Sequence, residues 1–240
     1  WPDIAGLADE IVIECEGRMV DLFKRSFGDN VYRCHVDLIT AHPDVDAYIP
    51  MGNLPGLFRN SSEDFARAKP FLKPNPAKVK KFRKRLEKLG PGPYIGLGWH
   101  GGTKGTHQEM RNAPLELWGQ LVKSPGTFIS LQYGDEAADQ ARDMGIKHWG
   151  KAVEDLDDFA ALIAACDLVI SVCQTAIHFA GGLGKECWCI TPSKPAWRYG
   201  IHGNMDWYPS VDLIRQQGDD WGSAFMEVAG RLQSRDEMSK

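Results

Sequence analysis

Residues 168–191 read LVISVCQTAIHFAGGLGKECWCIT, and they establish the architecture of the chain. The first five are apolar except for Ser171, which is typical of a strand with helices on both faces of its sheet. A helix is predicted from Thr175, whose hydroxyl can cap its first turn, and a second strand at residues 187–191. A strand, a helix and another strand in this order predict a parallel sheet.

The same alternation continues toward both ends of the chain. The further predicted elements are strands at 94–99 and 127–132, helices that start at Pro114 and Glu136, and helices at 158–166 and 219–232. We therefore predict an α/β protein with a parallel sheet.

The first part of the chain is predicted to be a smaller α/β unit. A strand is expected at residues 10–14, an amphipathic helix at 17–27 and a second strand at 46–49. Prolines at positions 43, 50 and 55 then divide the sequence into loops and short turns.

A predicted helix separates this unit from the larger one. Asn75 and Pro76 supply its N-cap and first-turn proline, and Gly90 and Pro91 end it. We interpret it as a hinge between two domains. The expected division is residues 1–74, a linker at 75–92, and residues 93–240.

One face of the linker helix is strongly basic. A phosphate-rich partner would fit such a face, but a solvated helix surface is the favoured interpretation because the rest of the chain is acidic. The residues concerned are Lys78, Lys80, Lys81, Arg83, Lys84, Arg85 and Lys88.

The composition of the 240 residues excludes several classes of protein. Apolar residues make up 43% and charged residues 25%, which excludes a disordered, collagenous or coiled-coil chain. The net charge of -4 gives no general attraction to nucleic acid or anionic lipid. No apolar run approaches the roughly 20 residues that span a bilayer. The six cysteines are expected to be free thiols in a reducing cytoplasm.

The start of the chain is unusual. It opens at Trp1 without a methionine and enters helix-like and strand-like sequence at once, so we expect an excised segment of a longer protein.

Ligands of an open parallel sheet bind outside the carboxyl ends of its strands, so the loops there are candidate sites. The loop after the first large-domain strand contains Gly101, Gly102, Thr103 and Lys104. Their bare N–H groups, hydroxyl and ammonium could hold phosphate oxygens. A flexible connecting loop fits the same residues equally well.

Glycines 96, 98 and 101 also match the spacing of a dinucleotide-binding fingerprint. The first two lie inside the predicted strand, and no acidic residue ends the second strand at the usual distance. We interpret the match as accidental, which disfavours a nicotinamide oxidoreductase.

A second candidate group follows the strand at 127–132. It consists of Gln132, Tyr133, Asp135 and Glu136. A carboxylate here can accept hydrogen bonds from ribose hydroxyls. Acidic residues that open a helix also complement its dipole, and this structural role is the more frequent one.

The strongest group is Cys173, Gln174, Thr175 and His178 at the predicted helix N-terminus. Free N–H groups there could hold a diphosphate without a metal, and His178 could reach an anion. A histidine buried in the core is the alternative. The small residues 180–182 would let the helix pack tightly against the sheet.

Aromatic residues are dense between positions 197 and 208. Most are expected to fasten the final helix onto the first domain, whereas Trp197 and Arg198 are candidates for stacking on a base or sugar. Two D-x-D matches, at 44–46 and 155–157, are explained by a turn and a helix start, so no metal site is predicted.

Several segments together resemble bacterial glycosyltransferases of family nine, the ADP-heptose transferase type, particularly those attached to tetratricopeptide-repeat segments. The resemblance is nearly continuous in the second half of the chain and loose in the first half. The segments are SVCQTAIHFAGGLGKECWCITPSKPAWRYG, WYPSVDLIRQ, IGLGWHGG, FISLQYGD, LADEIVIECEGRMVDLF and IPMGNLPGLF.

The resemblance implies a GT-B architecture of two Rossmann-like domains, the first binding the acceptor and the second a nucleotide-sugar donor. The implied reaction is metal-independent, inverting sugar transfer to a glycan, lipopolysaccharide or protein acceptor, with no cofactor. Thr103 and Lys104 would meet the diphosphate, Asp135 and Glu136 the ribose, and Gln174, Thr175 and His178 the phosphates.

The chain departs from this family at two places. Heptose transferases commonly carry an aspartate where Cys173 stands, so the donor sugar is not fixed by the resemblance. The family's first strand, with an acidic catalytic residue, would precede Trp1, which leaves the first domain incomplete and the catalytic base unnamed. A non-catalytic nucleotide-sugar-binding or scaffold domain is the alternative.

Overall fold

The computed structural model describes residues 1, 3–34, 45–66, 68–102, 105 and 108–238. Its larger unit is built on a six-stranded, fully parallel sheet with the strand order β5-β4-β3-β6-β7-β8. These strands are β3 (Tyr94–Gly98), β4 (Thr127–Ser130), β5 (Lys147–His148), β6 (Leu168–Val172), β7 (Cys187–Thr191) and β8 (Val211–Arg215).

A smaller unit precedes this sheet, with two parallel strands, β1 (Ile13–Cys15) and β2 (Val31–Arg33), joined through one helix. The helices of the chain are α1 (Val20–Phe27), α2 (Leu54–Phe58), α3 (Ser62–Phe65), α4 (Pro76–Leu86), α5 (Leu115–Leu121), α6 (Ala137–Asp143), α7 (Gly150–Glu154), α8 (Leu156–Ala165), α9 (Thr175–Leu183) and α10 (Gly222–Met238). Short 3-10 turns lie at Gly17–Met19, Met51–Asn53, Gln108–Met110 and Trp197–Tyr199.

The large sheet has an apolar layer on each face because successive side chains of a strand point to opposite sides. Val169 of β6 belongs to the layer formed with α4, α8 and α9. Ile170, its neighbour, belongs to the layer formed with α5 and α10, where the rings of Trp118 and Phe225 meet edge to face. The apolar composition of β6 therefore reflects burial on both faces, as the sequence predicts.

The smaller unit is attached to the larger one by apolar and ionic contacts. Leu22 of α1 is fully buried in the core layer that contains α8. The buried carboxylate of Asp157, at the start of α8, pairs with Arg25 of α1 and lies 2.9 Å from Lys78 Nζ of α4. Three helices thus meet at one carboxylate.

The small residues of α9 have a different role from the predicted one. A Cβ on Gly181 would lie 2.1 Å from the ring of Tyr208, and one on Gly182 would lie 2.8 Å from Leu72. The carbonyl of Gly182 also accepts hydrogen bonds from the backbone N–H groups of Phe71 and Leu72, both at 2.8 Å. These glycines therefore make room for the segment at Phe71 and Leu72 and for the ring of Tyr208.

The predicted α/β class and parallel sheets are confirmed, and β6 and β7 have the predicted residues. The predicted strand at 46–49 is wrong, because these residues are exposed and have no neighbouring strand. Strands β2, β5 and β8 were not predicted. Among the described residues, no helix combines the length and the apolar character needed to cross a bilayer.

Candidate functional site

The sheet has its topological switch point between β3 and β6, where the order of the strands along the chain reverses its direction across the sheet. From β3 the chain proceeds to β4 and β5 on one side, and from β6 to β7 and β8 on the other. The loops that leave β3 and β6 therefore diverge, and a crevice forms at the carboxyl ends of these two strands. Helix α9 begins directly at this point.

Gln132 fastens the loop that follows β3. Its Oε1 accepts hydrogen bonds from the backbone N–H groups of Trp99 at 2.9 Å and His100 at 2.8 Å. Its Nε2 donates to the carbonyls of His100 and Tyr133, both at 3.0 Å. Because this buried amide is already bound to backbone on both sides, it positions the loop, and a direct contact of Gln132 with a ligand stays a prediction.

Asn112 holds the same loop from its far end, and the sequence reasoning missed it. Its Oδ1 accepts a hydrogen bond from Gly101 N at 2.9 Å, and its Nδ2 lies 3.0 Å from His100 Nδ1. No sequence pattern identifies Asn112 as a site residue, because its partners Gly101 and His100 lie 11 and 12 positions earlier and form no motif with it. Thr103 and Lys104 lie outside the described residues.

Two glycines of the β3 segment allow a close approach to the turn before α9. A Cβ on Gly101 would lie 2.7 Å from the carbonyl oxygen of Cys173. A Cβ on Gly98 would lie 1.9 Å from Gln174 Nε2 and 2.6 Å from Ser171 Oγ. Any side chain at either position would displace this turn. Gly102, next in the loop, has a φ of 86°, a conformation that favours glycine.

Gln174 is the most unusual polar group of the site. Its side chain is only 5% exposed, and both amide atoms are buried without a hydrogen-bond partner among the described residues. An unpaired buried amide costs about 1–3 kcal/mol in proteins. Gln174 also occupies the N-cap position of α9, where its side chain makes no capping bond.

The predicted capping role of Thr175 is therefore wrong. Gln174 has an extended backbone and Thr175, which is exposed, is the first helical residue. Thr175 presents its N–H and hydroxyl at the positive end of a nine-residue helix.

His178 lies one turn into α9 and is held by two phenols. Its Nδ1 lies 3.3 Å from the hydroxyl of Tyr208, and its Nε2 lies 3.3 Å from the hydroxyl of Tyr199. Burial, with a further contribution from the charge of Arg198, lowers the pKa of His178 to about 4. The imidazole is therefore neutral at pH 7 and has a polar neighbour at each nitrogen.

Arg198 and Trp197 directly precede Tyr199 and lie beside this cluster. The Arg198 guanidinium carbon is 6.0 Å from the Tyr199 ring centroid and 5.7 Å from that of Trp197. No ion pair of Arg198 occurs in the described part of the chain. Trp197 is 73% exposed and meets Trp207 edge to face at 5.9 Å. Both side chains are available to a ligand.

Cys173 directs its thiol away from the crevice. The side chain is 2% exposed, and its Sγ lies 3.9 Å from Cys189 Sγ of β7. Only the backbone of Cys173 therefore reaches the β3 loop. Burial raises the pKa of Cys189 well above its usual range.

The acidic residues after β4 lie at the exposed rim. Tyr133, Asp135 and Glu136 are exposed, and Glu136 Oε2 accepts a hydrogen bond from Gln140 Nε2 at 3.0 Å. Gln140 Oε1 in turn accepts a 2.6 Å bond from Trp99 Nε1, which connects this rim to the β3 loop. Ribose contacts of Asp135 and Glu136 stay predictions.

The two D-x-D matches do not form metal sites in the described part of the chain. Asp155 caps α8 by accepting a bond from Asp158 N at 2.8 Å, and Asp157 is bound by Arg25 and Lys78. Asp44 lies outside the described residues. No group of three or more metal-ligating side chains occurs among the residues described.

Comparison with known proteins gives one sequence relative. The chain is 32% identical over 238 residues to protein FlbA of Caulobacter vibrioides, an alignment that covers 90% of this chain. It spans 40% of that relative's length. No protein-family model matches the chain.

Three solved structures resemble parts of the chain. The ADP-heptose lps heptosyltransferase II of E. coli is 14% identical, with a TM-score of 0.46, and the match covers 76% of this chain and 56% of that one. A glycosyl transferase family 9 protein of Veillonella parvula is 11% identical, with a TM-score of 0.45, and the match covers 60% of this chain and 42% of that one. The E. coli heptosyltransferase WaaC with ADP-2-deoxy-2-fluoro heptose is 15% identical, with a TM-score of 0.43, and the match covers 74% of this chain and 52% of that one.

Proposed function

We propose that the chain is a metal-independent glycosyltransferase of GT-B-like organisation that moves a sugar from a nucleoside-diphosphate sugar to a hydroxyl acceptor. The observation that carries the proposal is the helix N-terminus at Thr175, which lies at the switch point beside the buried amide of Gln174, an amide without a hydrogen-bond partner among the described residues. Free N–H groups at such a terminus bind a diphosphate, and a ligand oxygen would satisfy the amide.

The β3 loop completes the binding site for the diphosphate in this proposal. The contact of Gly101 with Cys173 holds the loop against the first turn of α9, while Gln132 and Asn112 fix its backbone. Fixed N–H groups stabilise charge without reorganisation during the reaction. Arg198, which has no ion-pair partner in the described chain, would add a positive charge.

The proposed reaction inverts the anomeric carbon of the donor sugar. A carboxylate removes the proton of an acceptor hydroxyl, whose oxygen forms a bond to the anomeric carbon as the bond to the diphosphate oxygen breaks. The electron pair leaves with the nucleoside diphosphate, whose charge is stabilised by the α9 N-terminus. We assign donor binding to residues 93–240, and acceptor binding and the unnamed carboxylate to the N-terminal side.

The identity of the substrates follows from the family resemblance of the sequence. We propose ADP-heptose as the first donor to test, and a glycan, lipopolysaccharide or protein as acceptor. On the same resemblance we propose that the activity is cytoplasmic and that the parent chain carries a tetratricopeptide-repeat segment.

A non-catalytic nucleotide-sugar-binding or scaffold domain is the second candidate. It is favoured by Cys173, because the position where related transferases commonly carry an aspartate presents a thiol buried against Cys189. This position therefore contributes no acidic side chain to the crevice.

Calorimetry with ADP, UDP, GDP and their sugars tests the binding step. We expect one nucleoside diphosphate to bind in the micromolar range, and the proposal fails if none binds below 1 mM, roughly -4.1 kcal/mol. Measuring the release of nucleoside diphosphate from a bound donor, with or without acceptor, distinguishes the two candidate functions. A transferase releases it, whereas a non-catalytic domain does not. Arg198→Ala should weaken binding about tenfold, whereas Arg142→Ala, at an exposed arginine of α6, should not.

A further inference from the structure

The linker helix α4 borders a groove that the proposed transfer reaction does not use. The groove measures about 570 Å³, a size typical of ligand sites. Its walls include the apolar side chains of Pro74, Pro76, Val79 and Ala164. Lys80, Arg83 and Lys84 of α4 also line it together with Glu87, so its charged lining consists of three cations and one carboxylate.

Three of the seven basic residues of α4 and its C-terminal end have partners. The ammonium of Lys78 lies 2.6 Å from an oxygen of Asp158, and Arg83 NH1 lies 2.7 Å from an oxygen of Asp167. The guanidinium carbon of Arg85 lies 3.8 Å from the Trp149 ring centroid. These three residues attach α4 to the larger unit.

The other basic residues have no partner in the described part of the chain. Lys80, Lys81, Lys84 and Lys88 are exposed and form no ion pair or hydrogen bond there. At about 100° per residue, Lys80, Lys81 and Lys84 fall within an arc of roughly 100° on the helix surface, and Lys88 follows in the turn beyond the helix. Lysines four positions apart repel one another by a few tenths of a kcal/mol, so this face is not arranged for the stability of the helix itself.

Charge and shape together indicate the chemistry of an occupant. The chain has a net charge of -4, so this cluster is a local reversal of its sign. The ammonium groups stand beside apolar walls, which favours a ligand with carboxylates next to an apolar side chain. We propose that the groove binds an acidic protein segment, with an apolar side chain against Val79 and Ala164 and carboxylates on Lys80 and Lys84.

A protein segment fits this surface better than a lipid bilayer. Interfacial helices bury an exposed apolar face in the membrane, but the apolar face of α4 is used within the protein, where Phe82 and Leu86 are buried. The groove is also concave, so its apolar walls could not meet a flat surface. It offers no stacking platform of exposed aromatic rings for a single-stranded nucleic acid.

Fluorescence anisotropy with a labelled peptide tests this proposal. The probe is a nonapeptide of seven glutamates and two leucines spaced four residues apart. We expect saturable binding in the micromolar range in about 0.1 M salt. Replacing the leucines by serines should weaken it, as should replacing the glutamates by glutamines.

Protein variants locate the binding surface. The double variant Lys80→Gln and Lys84→Gln should bind the peptide roughly five- to tenfold more weakly, the effect expected for two exposed ion pairs. Lys123→Gln with Lys147→Gln removes the same charge from exposed lysines elsewhere and should leave binding unchanged. Ala164→Met should weaken binding by filling the groove without changing the charge. Thermal unfolding of each variant checks that the fold is intact.

Three results would overturn the proposal. One is the absence of saturable peptide binding by the unaltered chain, and another is equal weakening by the two lysine pairs. The third is tighter binding of phosphatidylglycerol vesicles or of an oligothymidylate than of the peptide, with dependence on Lys80 and Lys84. That result would assign the surface to a membrane or a nucleic acid instead.

Discussion

The side-chain amide of Gln174 lies directly over Gly98, so close that a Cβ on the glycine would be 1.9 Å from Gln174 Nε2. This contact joins the strand that precedes the glycine-rich loop to the residue that precedes α9. It therefore couples the two segments that border the proposed ligand site, and both partners can be tested separately.

Gly98→Ala should destabilise the chain by about 1–3 kcal/mol, because the added methyl group must displace the Gln174 amide or the Ser171 hydroxyl. Urea unfolding measures this change. Gly119→Ala is the matched control, since a Cβ there meets nothing within 4 Å and the residue lies in α5. It should be neutral or stabilise by up to about 1 kcal/mol. Equal effects of the two substitutions would contradict the contact.

Gln174→Met should stabilise the ligand-free chain by about 1–2 kcal/mol, because it removes a buried amide that has no hydrogen bond to any residue the structure describes. The same substitution should weaken nucleoside-diphosphate binding about tenfold, since the methionine cannot bond a ligand oxygen. Unfolding and calorimetry on one preparation measure both quantities. A variant that loses stability and keeps its affinity would show that the amide is not reserved for a ligand.

His178 should make the stability of the chain depend on pH. Its pKa is about 4 in the folded chain against the ordinary value of 6.5, so between these values the unfolded chain binds the extra proton. The free energy of unfolding is therefore highest above pH 6.5 and should fall by about 2 kcal/mol from pH 7 to pH 5.

His178→Phe should remove this part of the pH dependence. His148, whose pKa burial also lowers, is present in both proteins, so its contribution cancels in the comparison. Urea unfolding at the two pH values provides the measurement. An imidazole that titrates near 6.5 by NMR would refute the neutral, buried state.

Trp197→Ala should change the free energy of unfolding by less than about 0.5 kcal/mol, because the indole is 73% exposed. It should nevertheless weaken the binding of a nucleotide sugar several-fold if the ring stacks on the base or sugar. Trp118→Ala, at a fully buried tryptophan of α5, is the opposite case and should cost about 3–5 kcal/mol. Unaltered affinity of the Trp197 variant would remove this residue from the site.

The strongest sequence patterns predicted the central elements. Strands β6 and β7 were located residue by residue, because both are almost wholly apolar runs that follow an acidic residue, Asp167 and Glu186. Strand β8 was missed, since its sequence VDLIR is neither a continuous apolar run nor a regular alternation and Pro209 precedes it. Strands β2 and β5 have only three and two residues, too few for a periodic signal.

The chemical roles of the site residues depended on partners that are distant in the sequence. Gln132 was predicted to meet a ligand and is bound by the backbone of the β3 loop. His178 was predicted to face an anion and lies between Tyr199 and Tyr208. Neither arrangement could be found from the local sequence, because the partners come from other loops.

The sequence by itself determined the alternation of buried strands and helices, the parallel sheet and the position of a helix N-terminus near its edge. These features follow from local periodicity and from the burial that it requires. Only the tertiary structure decided which polar groups are already bonded and which, like the Gln174 amide, have no partner in the part of the chain that is described. The hydrogen bonds of the site join groups from different segments that folding brings together, and spacing along the chain does not specify such bonds.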